Sequence, residues 1–400
     1  MVRRTRRAST AVDTTAVLTV GTTAGLDAVG VAAAEAWPDA RRTMEERAAA
    51  GLVDTMRFTY GHPERSTDPR TALPGATAVV VGALGYRRLP GPPASPGDPA
   101  GRVAAYVWDD SYAELRIALR AVADHLLAGG WRARVLVDDN ALVDRVAAHR
   151  AGLGWFGKNA NLLLPGRGSW FVLGGVVTDA PLLAAPAPPP ASSSGGSDET
   201  GGGRVGERSC GACRQCLDGC PTGAIVGPGV VDAGRCLSWL LQRHGPFPRQ
   251  YREVLGDRIY GCDDCQEVCP PNRRADAVTA GPLPTPGAGT SAVDLLDLLA
   301  AGDGDLLARH GRWYVPRRDP DHLRRNALLV LGNVGDATDA RVVATVDRYL
   351  AHPSPVLRDQ AAWTARRLGL GAVAAAHADD PVVAAELGAS APAPGPGARG

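Results

Sequence analysis

The sequence predicts an α/β domain, then a small cysteine-rich domain, then a C-terminal stack of α-helices, and three observations predict that order. All eight cysteines fall between Cys210 and Cys269. Ahead of them, short apolar runs rich in valine and glycine alternate with amphipathic helical segments, the pattern of strands packed under helices. Behind them, consecutive amphipathic segments are joined by short turns. Four hundred residues with 45% hydrophobic content suit two or three folded units, and a net charge of +1 names no class of partner. No run of about 20 apolar residues occurs, so no helix is expected to span a membrane.

The chain opens Met1-Val-Arg-Arg-Thr-Arg-Arg7. Paired arginines near an N-terminus can be an export address, but the threonine-rich stretch from Ala11 to Gly25 lacks an apolar h-region and carries Asp13. Residues 1–20 therefore read as a disordered extension, and the expected location is cytoplasmic. Residues 26–37 read as a short buried strand entering a helix. Thr77 to Leu84 is a clearer strand, continuous in small and β-branched residues as in a sheet covered on both faces. Between them, Pro63 to Pro69 is a turn-rich approach in which Arg65 is either available for a ligand or simply solvated.

Residues 88–100 form a Pro/Gly loop without a packing signal. Arg102 to Leu127 keeps apolar positions at helical spacing, and Gly129-Gly130 stops it. Val135 to Val137 is the next strand and ends in Asp138-Asp139, just ahead of a helix at Ala141 to Arg150. In open α/β sheets ligands lie off the carboxyl ends of strands, which places these carboxylates for chemistry. A helix cap is the other use for such a residue, with Asp138 at the strand tip and Asp139 nearer the cap. Gly152 to Asn161 is a glycine-punctuated loop whose backbone a flat ligand could approach closely, and it matches neither a dinucleotide fingerprint nor a P-loop. Its Lys158 is the only lysine among 43 basic residues. An ammonium is a compact point charge and a guanidinium a wide planar fork, so a site role stands there against chance survival. Gly168 to Thr178 is the last strand of the α/β domain, assigned to residues 21–179. Residues 180–207, rich in Ala, Pro, Ser and Gly, read as a flexible linker or insertion.

Cys210, Cys213, Cys216 and Cys220, followed by Pro221, spell C-x2-C-x2-C-x3-C-P. Cys236 stands alone, and Cys262, Cys265 and Cys269, followed by Pro270, repeat the end of the pattern. Eight thiols make two sets of four. In the bacterial ferredoxin arrangement three cysteines of a run hold one cubane and the fourth crosses to the other. That rule gives Cys210, Cys213, Cys216 and Cys269 to one [4Fe-4S] cluster, and Cys220, Cys236, Cys262 and Cys265 to a second. A disulfide framework and a pair of zinc sites are the alternatives. Nothing marks a small secreted scaffold, and zinc usually takes two C-x2-C pairs or mixes in histidine. The ferredoxin-like domain is assigned to residues 208–285.

Helices are expected at about 292–301 and 304–311, then from Asp321 to Gly332, Asp339 to Ala351 and Pro355 to Leu368, at HEAT-like spacing within 290–372. Arg317, Arg318, Arg324, Arg325, Arg358, Arg366 and Arg367 form either a solvated face among aspartates or a phosphate-facing stripe. Residues 385–400 read as a disordered Ala/Pro/Gly tail.

Over about residues 20–370 the chain resembles the epoxyqueuosine reductase family. The stretches that carry the resemblance are Gly25-Leu-Asp-Ala-Val-Gly30, Arg65 with Asp68-Pro69, Gly152 to Asn159, Gly168-Ser-Trp-Phe171, the cysteine runs, Ile259 to Cys265, and Arg325-Asn326. The resemblance implies an α/β cobalamin-binding domain, a two-[4Fe-4S] ferredoxin-like domain and a C-terminal α-helical HEAT-like repeat domain that helps hold tRNA. It implies an oxidoreductase that removes the epoxide oxygen of epoxyqueuosine in a tRNA anticodon. Electrons would pass from an external donor of flavodoxin or ferredoxin type through the clusters to cobalamin, generating Co(I), whose attack leads to loss of water. Asp138 falls at the family's proton donor, and a carboxylic acid at a strand tip can protonate a leaving oxygen when burial raises its pKa. The implied cobalamin contacts are Arg65, Asp138, Leu162, Leu173, Ser238, Cys262 and Asp263, to which the solitary Lys158 is added. His244 matches a position that approaches tRNA, and Arg324 and Arg325 join it from the arginine stripe. A monomer is expected. Ser111-Tyr-Ala113 stands where the family has Asp-Tyr-His, and Ala141 where it has proline. The competing readings are a corrinoid and iron–sulfur reductase acting on a small molecule, such as a dehalogenase, and a ferredoxin-like electron carrier. The arginine-rich helical unit argues against the first, and Asp138 with the glycine loop against the second.

Overall fold

The computed structural model describes residues 12–87, 97–186, 209–278 and 291–389. The first seven residues with their paired arginines, residues 187–207 of the linker and the residues after 389 lie outside them. The chain divides into two units, one of Met1–Tyr86 with Ser111–Cys213, the other of Arg87–Asp110 with Arg214–Gly400.

In the first unit, α1 (Thr14–Thr23) leads into β1 (Ala28–Ala33), α2 (Pro38–Ala49), the single turn α3 (Pro63–Ser66) and β2 (Ala78–Gly85). β3 (Ala100–Val103) belongs to the second unit. Then come α4 (Ser111–Ala128), β4 (Ala133–Val137), α5 (Asp144–Arg150), the small hairpin of β5 (Trp155–Phe156) and β6 (Leu162–Leu163), and β7 (Phe171–Thr178). Strands β1, β2, β7 and β4 lie side by side in that order, each pair antiparallel. A strand covered on both faces has the same apolar run whichever way its neighbours point, so the sequence could not reveal the antiparallel direction. The cover is real: the first six residues of β2 are buried. On one face α4 presses Leu119 toward Gly174, where an added Cβ would stand 2.8 Å from Leu119 Cδ1. On the other, Leu136, Leu142, Ala147, Ala148, Leu162 and Leu173 form part of the main apolar core.

Helix α1 corrects the expectation of a disordered extension up to residue 20. Asp13 accepts a hydrogen bond from Thr15 N–H at 2.9 Å as N-cap, and Val17 is fully buried. Threonines are weak helix formers, so periodicity gave little sign of it, and capping and packing supply what propensity does not.

The second unit contains a three-stranded sheet in which β3 lies between β10 (Arg258–Tyr260) and β11 (Ala292–Asp294). The expected helix from Arg102 is thus a strand at its start, and the 21–179 domain is interrupted. A four-residue strand is too short for periodicity to reveal. The cysteine region adds α6 (Gln215–Asp218), the hairpin β8 (Ile225–Gly227) and β9 (Val230–Val231), α7 (Leu237–Leu240), α8 (Asp264–Glu267) and α9 (Pro270–Val278). After β11 come α10 (Leu295–Ala300), α11 (Asp303–His310), α12 (Asp321–Val334), α13 (Ala340–Leu350), α14 (Pro355–Arg367), α15 (Gly371–Ala375) and α16 (Pro381–Leu387). α12 packs on α14, which in turn packs on α13 and α16. Among the described residues no helix is long and apolar enough to cross a membrane.

Candidate redox site

Six cysteines lie in the second unit, and three well-separated stretches of chain make Cys216, Cys220, Cys236, Cys262 and Cys265 electrostatic neighbours. Cys236 directly precedes α7, Cys220 lies just after α6, and Cys262 and Cys265 flank the start of α8. Burial drives the Cys265 thiol well above its ordinary pKa, and Cys236, Cys220 and Cys216 add to the rise as neighbouring negative charges. The Cys262 thiol is raised in the same way, by burial first, then by Asp264, with Cys236 contributing. Thiols that raise one another this way share one neighbourhood, and positive iron at its centre is what would let them ionise together. Among the described residues, no three His, Cys, Asp or Glu side chains are grouped to share a single metal ion. The main chain also addresses the sulfurs. Ala224 N–H donates to Cys220 Sγ at 3.2 Å, a contact of the kind that tunes cluster potentials.

The turn around Cys262 is fixed by its neighbours. Gly261 has φ +71°, and a Cβ there would lie 2.4 Å from the Ala104 Cβ, so only glycine fits. Asp263 is buried and accepts a hydrogen bond from Ala105 N–H at 2.6 Å. Burial pushes its carboxyl up to about 6 despite that bond. Asp264 pairs with Arg258 at 2.8 Å. Ser238 is half-buried on α7.

In the first unit, Asp138 follows the last residue of β4 with φ +51°, a conformation that non-glycine residues enter at a cost and that marks functional positions more often than others. Val137 pairs with Gly174, which brings Asp138 alongside Leu173 at the end of the sheet. Asp138 is exposed. Even so, lost hydration raises its pKa, opposed by the Arg116 guanidinium and reinforced by Asp139. Asp139 has the other role. Its Oδ1 accepts from Ala141 N–H at 2.8 Å and shapes the turn before α5. Asp144, which sequence reasoning passed over, has its carboxyl raised by burial, with Asp138 among the charges acting on it. No local pattern distinguishes it from an ordinary first-turn aspartate.

Arg65 is exposed on α3, and its turn is tied to the Asp138 loop: Ser66 Oγ donates to the Asn140 carbonyl at 2.8 Å, and Val143 N–H donates to the Ser66 carbonyl at 3.0 Å. The structure thus gathers Arg65, Asp138 and Leu173 at one end of this unit. Leu162 and Leu173 have side chains within the apolar core, and their main chains pair with Phe156 and Ala83 in strands. Gly154 and Gly157 of the 152–161 loop are held close to the chain that follows, at Leu163. A Cβ on Gly154 would stand 2.2 Å from the Leu163 carbonyl oxygen. Lys158, added to the cobalamin contacts on sequence grounds, is half-buried and instead spends its ammonium on the first cysteine run, its Nζ donating to the carbonyls of Gly211 at 2.7 Å and Cys213 at 2.9 Å.

His244 is exposed in the loop after α7. Arg324 and Arg325, expected to face tRNA, are instead buried in their own unit. Arg324 pairs with Asp303 at 2.6 Å and Asp321 at 2.9 Å. Arg325 is 1% exposed and donates to the carbonyls of Leu240, Leu241, Arg243 and Gly245. Burial lowers its pKa to about 9. Neither guanidinium is available to a phosphate, because each is spent on neighbouring chain. Most of the remaining stripe is also paired: Arg358 with Asp380, Arg366 with Glu386, Arg367 with Glu253. The arginine count therefore no longer discriminates against a small substrate.

Residues 209–272 match the family described as 4Fe-4S double cluster binding domain. The chain is 31% identical to the epoxyqueuosine reductase of Bacillus cereus, covering 88% of each chain. A crystal structure of epoxyqueuosine reductase with a tRNA-Tyr epoxyqueuosine-modified stem loop superposes with a TM-score of 0.79 at 27% identity, covering 93% of this chain and 96% of that one. The Bacillus subtilis structure, described as having its aspartate catalytic loop swung out of the active site, gives 0.78 at 26% identity over the same shares.

Proposed function

The chain belongs to the epoxyqueuosine reductase family, and from that premise we propose that it reduces epoxyqueuosine to queuosine within a tRNA anticodon loop, using two [4Fe-4S] clusters and cobalamin. The observation that carries the chemistry is Asp138, a carboxyl with raised pKa held in a strained conformation at a strand end. Loss of an epoxide oxygen as water needs a proton at that oxygen, and an acid whose pKa has moved toward neutrality can deliver it.

We assign Cys210, Cys213, Cys216 and Cys269 to one cluster and Cys220, Cys236, Cys262 and Cys265 to the other. The nearness of Cys220 and Cys236 to Cys265 supports a positively charged centre shared by that second set, with Cys216 of the first set as a weaker neighbour. Corrinoid fits the first unit's donor set: the exposed Arg65 guanidinium suits the phosphate and amide groups that cobalamin carries, and the Ser66–Asn140 bond holds it with the Asp138 loop. Bound there, cobalamin supplies a low-valent cobalt able to reduce the substrate carbon. The protein's own part is to hold the proton on Asp138, keep that loop in place through Asp139 and Ser66, and present His244 to the tRNA. Electrons would come from an external flavodoxin- or ferredoxin-type donor. Stacked helices α12 to α14 supply the HEAT-like scaffold of this reading.

The test is anaerobic reconstitution with iron, sulfide and cobalamin, followed by mass spectrometry of epoxyqueuosine-containing tRNA. The wild-type chain should produce queuosine. Asp138→Asn should retain iron and cobalamin while losing turnover by about 10²-fold or more, the scale of a positioned general acid. Full turnover in that variant would remove Asp138 from the mechanism.

A further inference from the structure

The hairpin loop between β5 and β6 is built to aim one side chain. Gly157 N–H donates to the Asn161 carbonyl at 2.8 Å, Ala160 N–H to the Gly157 carbonyl at 3.0 Å, and Asn161 N–H to Asn159 Oδ1 at 3.2 Å. Ala160 sits at φ +61° to close the turn. At its tip stands Lys158, whose ammonium bridges the carbonyl oxygens of Gly211 and Cys213. Those residues belong to the C-x2-C turn that begins the first cysteine run, closed by Cys213 N–H on the Cys210 carbonyl at 2.9 Å, with Gly211 at φ +45°.

We propose that Lys158 is a positioning residue for the first iron–sulfur cluster, holding the Cys210–Cys213 turn by two carbonyl hydrogen bonds and placing a fixed positive charge beside it. The inference rests on the cluster assignment above. Two carbonyls converging on one point suit an ammonium, which can send separate donors to each from a single atom. A guanidinium nitrogen can also serve two carbonyls, as Arg325 Nη1 does with Arg243 and Gly245, but it does so as part of a wider planar group, which this short turn would have to shift to admit. That geometry explains why the one lysine of an otherwise arginine-only chain survives here. A positive charge near a cluster stabilises its more negative, reduced form, so Lys158 raises the potential of that cluster and leaves the other nearly unaffected, because charge effects weaken with distance and screening.

The experiment uses full-length reconstituted protein: wild type, Lys158→Met and Lys158→Arg, each followed by iron and sulfide analysis and by redox titration read by electron paramagnetic resonance. Wild type should show two cluster signals; a wild type with none would overturn the cluster assignment, a failure distinct from that of the lysine. In Lys158→Met one signal should shift to a more negative midpoint potential, or disappear with loss of up to half the iron, while the other stays in place. Lys158→Arg should keep more of the potential than Lys158→Met and change the line shape of the same signal. If Lys158→Met does not fold, Lys158→Arg still decides. Midpoints, line shapes and iron content equal to wild type in the folded variants would show that the lysine does not act on the cluster.

Discussion

Two adjacent aspartates with the same side chain do different work because the chain puts them in different places. Asp138 sits at φ +51° beyond the end of β4, while Asp139 spends an oxygen on Ala141 N–H. A raised carboxyl pKa means that Asp138 keeps its proton to higher pH than a free carboxyl and loses the donor form as pH rises through the shifted value. Turnover limited by that proton should therefore be level at lower pH and fall on the alkaline side. Asp139 contributes to the shift as a like charge. Asp139→Asn removes the charge yet keeps an oxygen to accept from Ala141 N–H, so its falling limb should begin at lower pH than that of wild type. Single-turnover rates across a pH series measure this directly, and superimposable profiles would mean that the Asp139 charge does not reach the donor.

At the scale of elements, α12 shows how a polar helix face can be mistaken for a ligand surface. His322, Arg325 and Asn326 all turn inward: His322 Nε2 meets the Leu241 carbonyl at 2.6 Å, and Asn326 Nδ2 donates to the carbonyls of Leu241 and Ile259. One helix thus satisfies main-chain acceptors on both the segment after Cys236 and the strand before Cys262, and holds the loop that carries His244. Arg325→Met would strand several buried carbonyls at about 1–3 kcal/mol each. Melting temperature should drop, and the salt slope of tRNA binding by the protein that remains folded should equal that of wild type. A reduced slope would restore Arg325 as a phosphate contact. His322 makes a second prediction. Burial holds its folded pKa at about 3, far below 6.5. Between those values the unfolded chain binds the proton and the folded chain does not, so stability is complete above about pH 6.5 and lost as pH falls, at up to about 1.4 kcal/mol per unit. His322→Gln keeps a donor for Leu241 without the titration and should flatten the dependence of urea midpoints between pH 7 and 4. Some slope should persist from His310, which is lowered to about 4 by burial.

For the whole molecule, legibility in the sequence followed locality. The cysteine runs, the strand at Thr77 to Leu84 and helices α12 to α14 are written in contiguous residues, and all could be found from spacing alone. The sheet that joins β3 to β10 and β11 could not, because its three strands are drawn from residues 100–103, 258–260 and 292–294, and no local pattern encodes such partners. The same holds for charge: a helical stripe of arginines looks alike whether water or a buried carbonyl receives it. The clearest case is the C-terminus, where residues from 385 on were expected to be disordered but α16 continues to Leu387. Its Glu386 is fully buried and meets Arg249 at 2.5 Å, Arg366 at 3.1 Å and Arg252 at 3.3 Å. Arg252, itself 1% exposed, also pairs with Asp359 at 2.7 Å. One carboxylate therefore links α16 and α14 to the segment between Cys236 and Cys262. Removing a partner from a buried ion pair leaves an uncompensated charge and costs about 3–5 kcal/mol. Glu386→Ala should lower the melting temperature of the reconstituted protein and speed iron loss on warming, while Glu386→Gln, which retains an acceptor without the charge, should fall between the two. A melting temperature unchanged in Glu386→Ala would mean that Asp359 alone compensates the three arginines, and that α16 adds nothing to the stability of the cysteine-bearing unit.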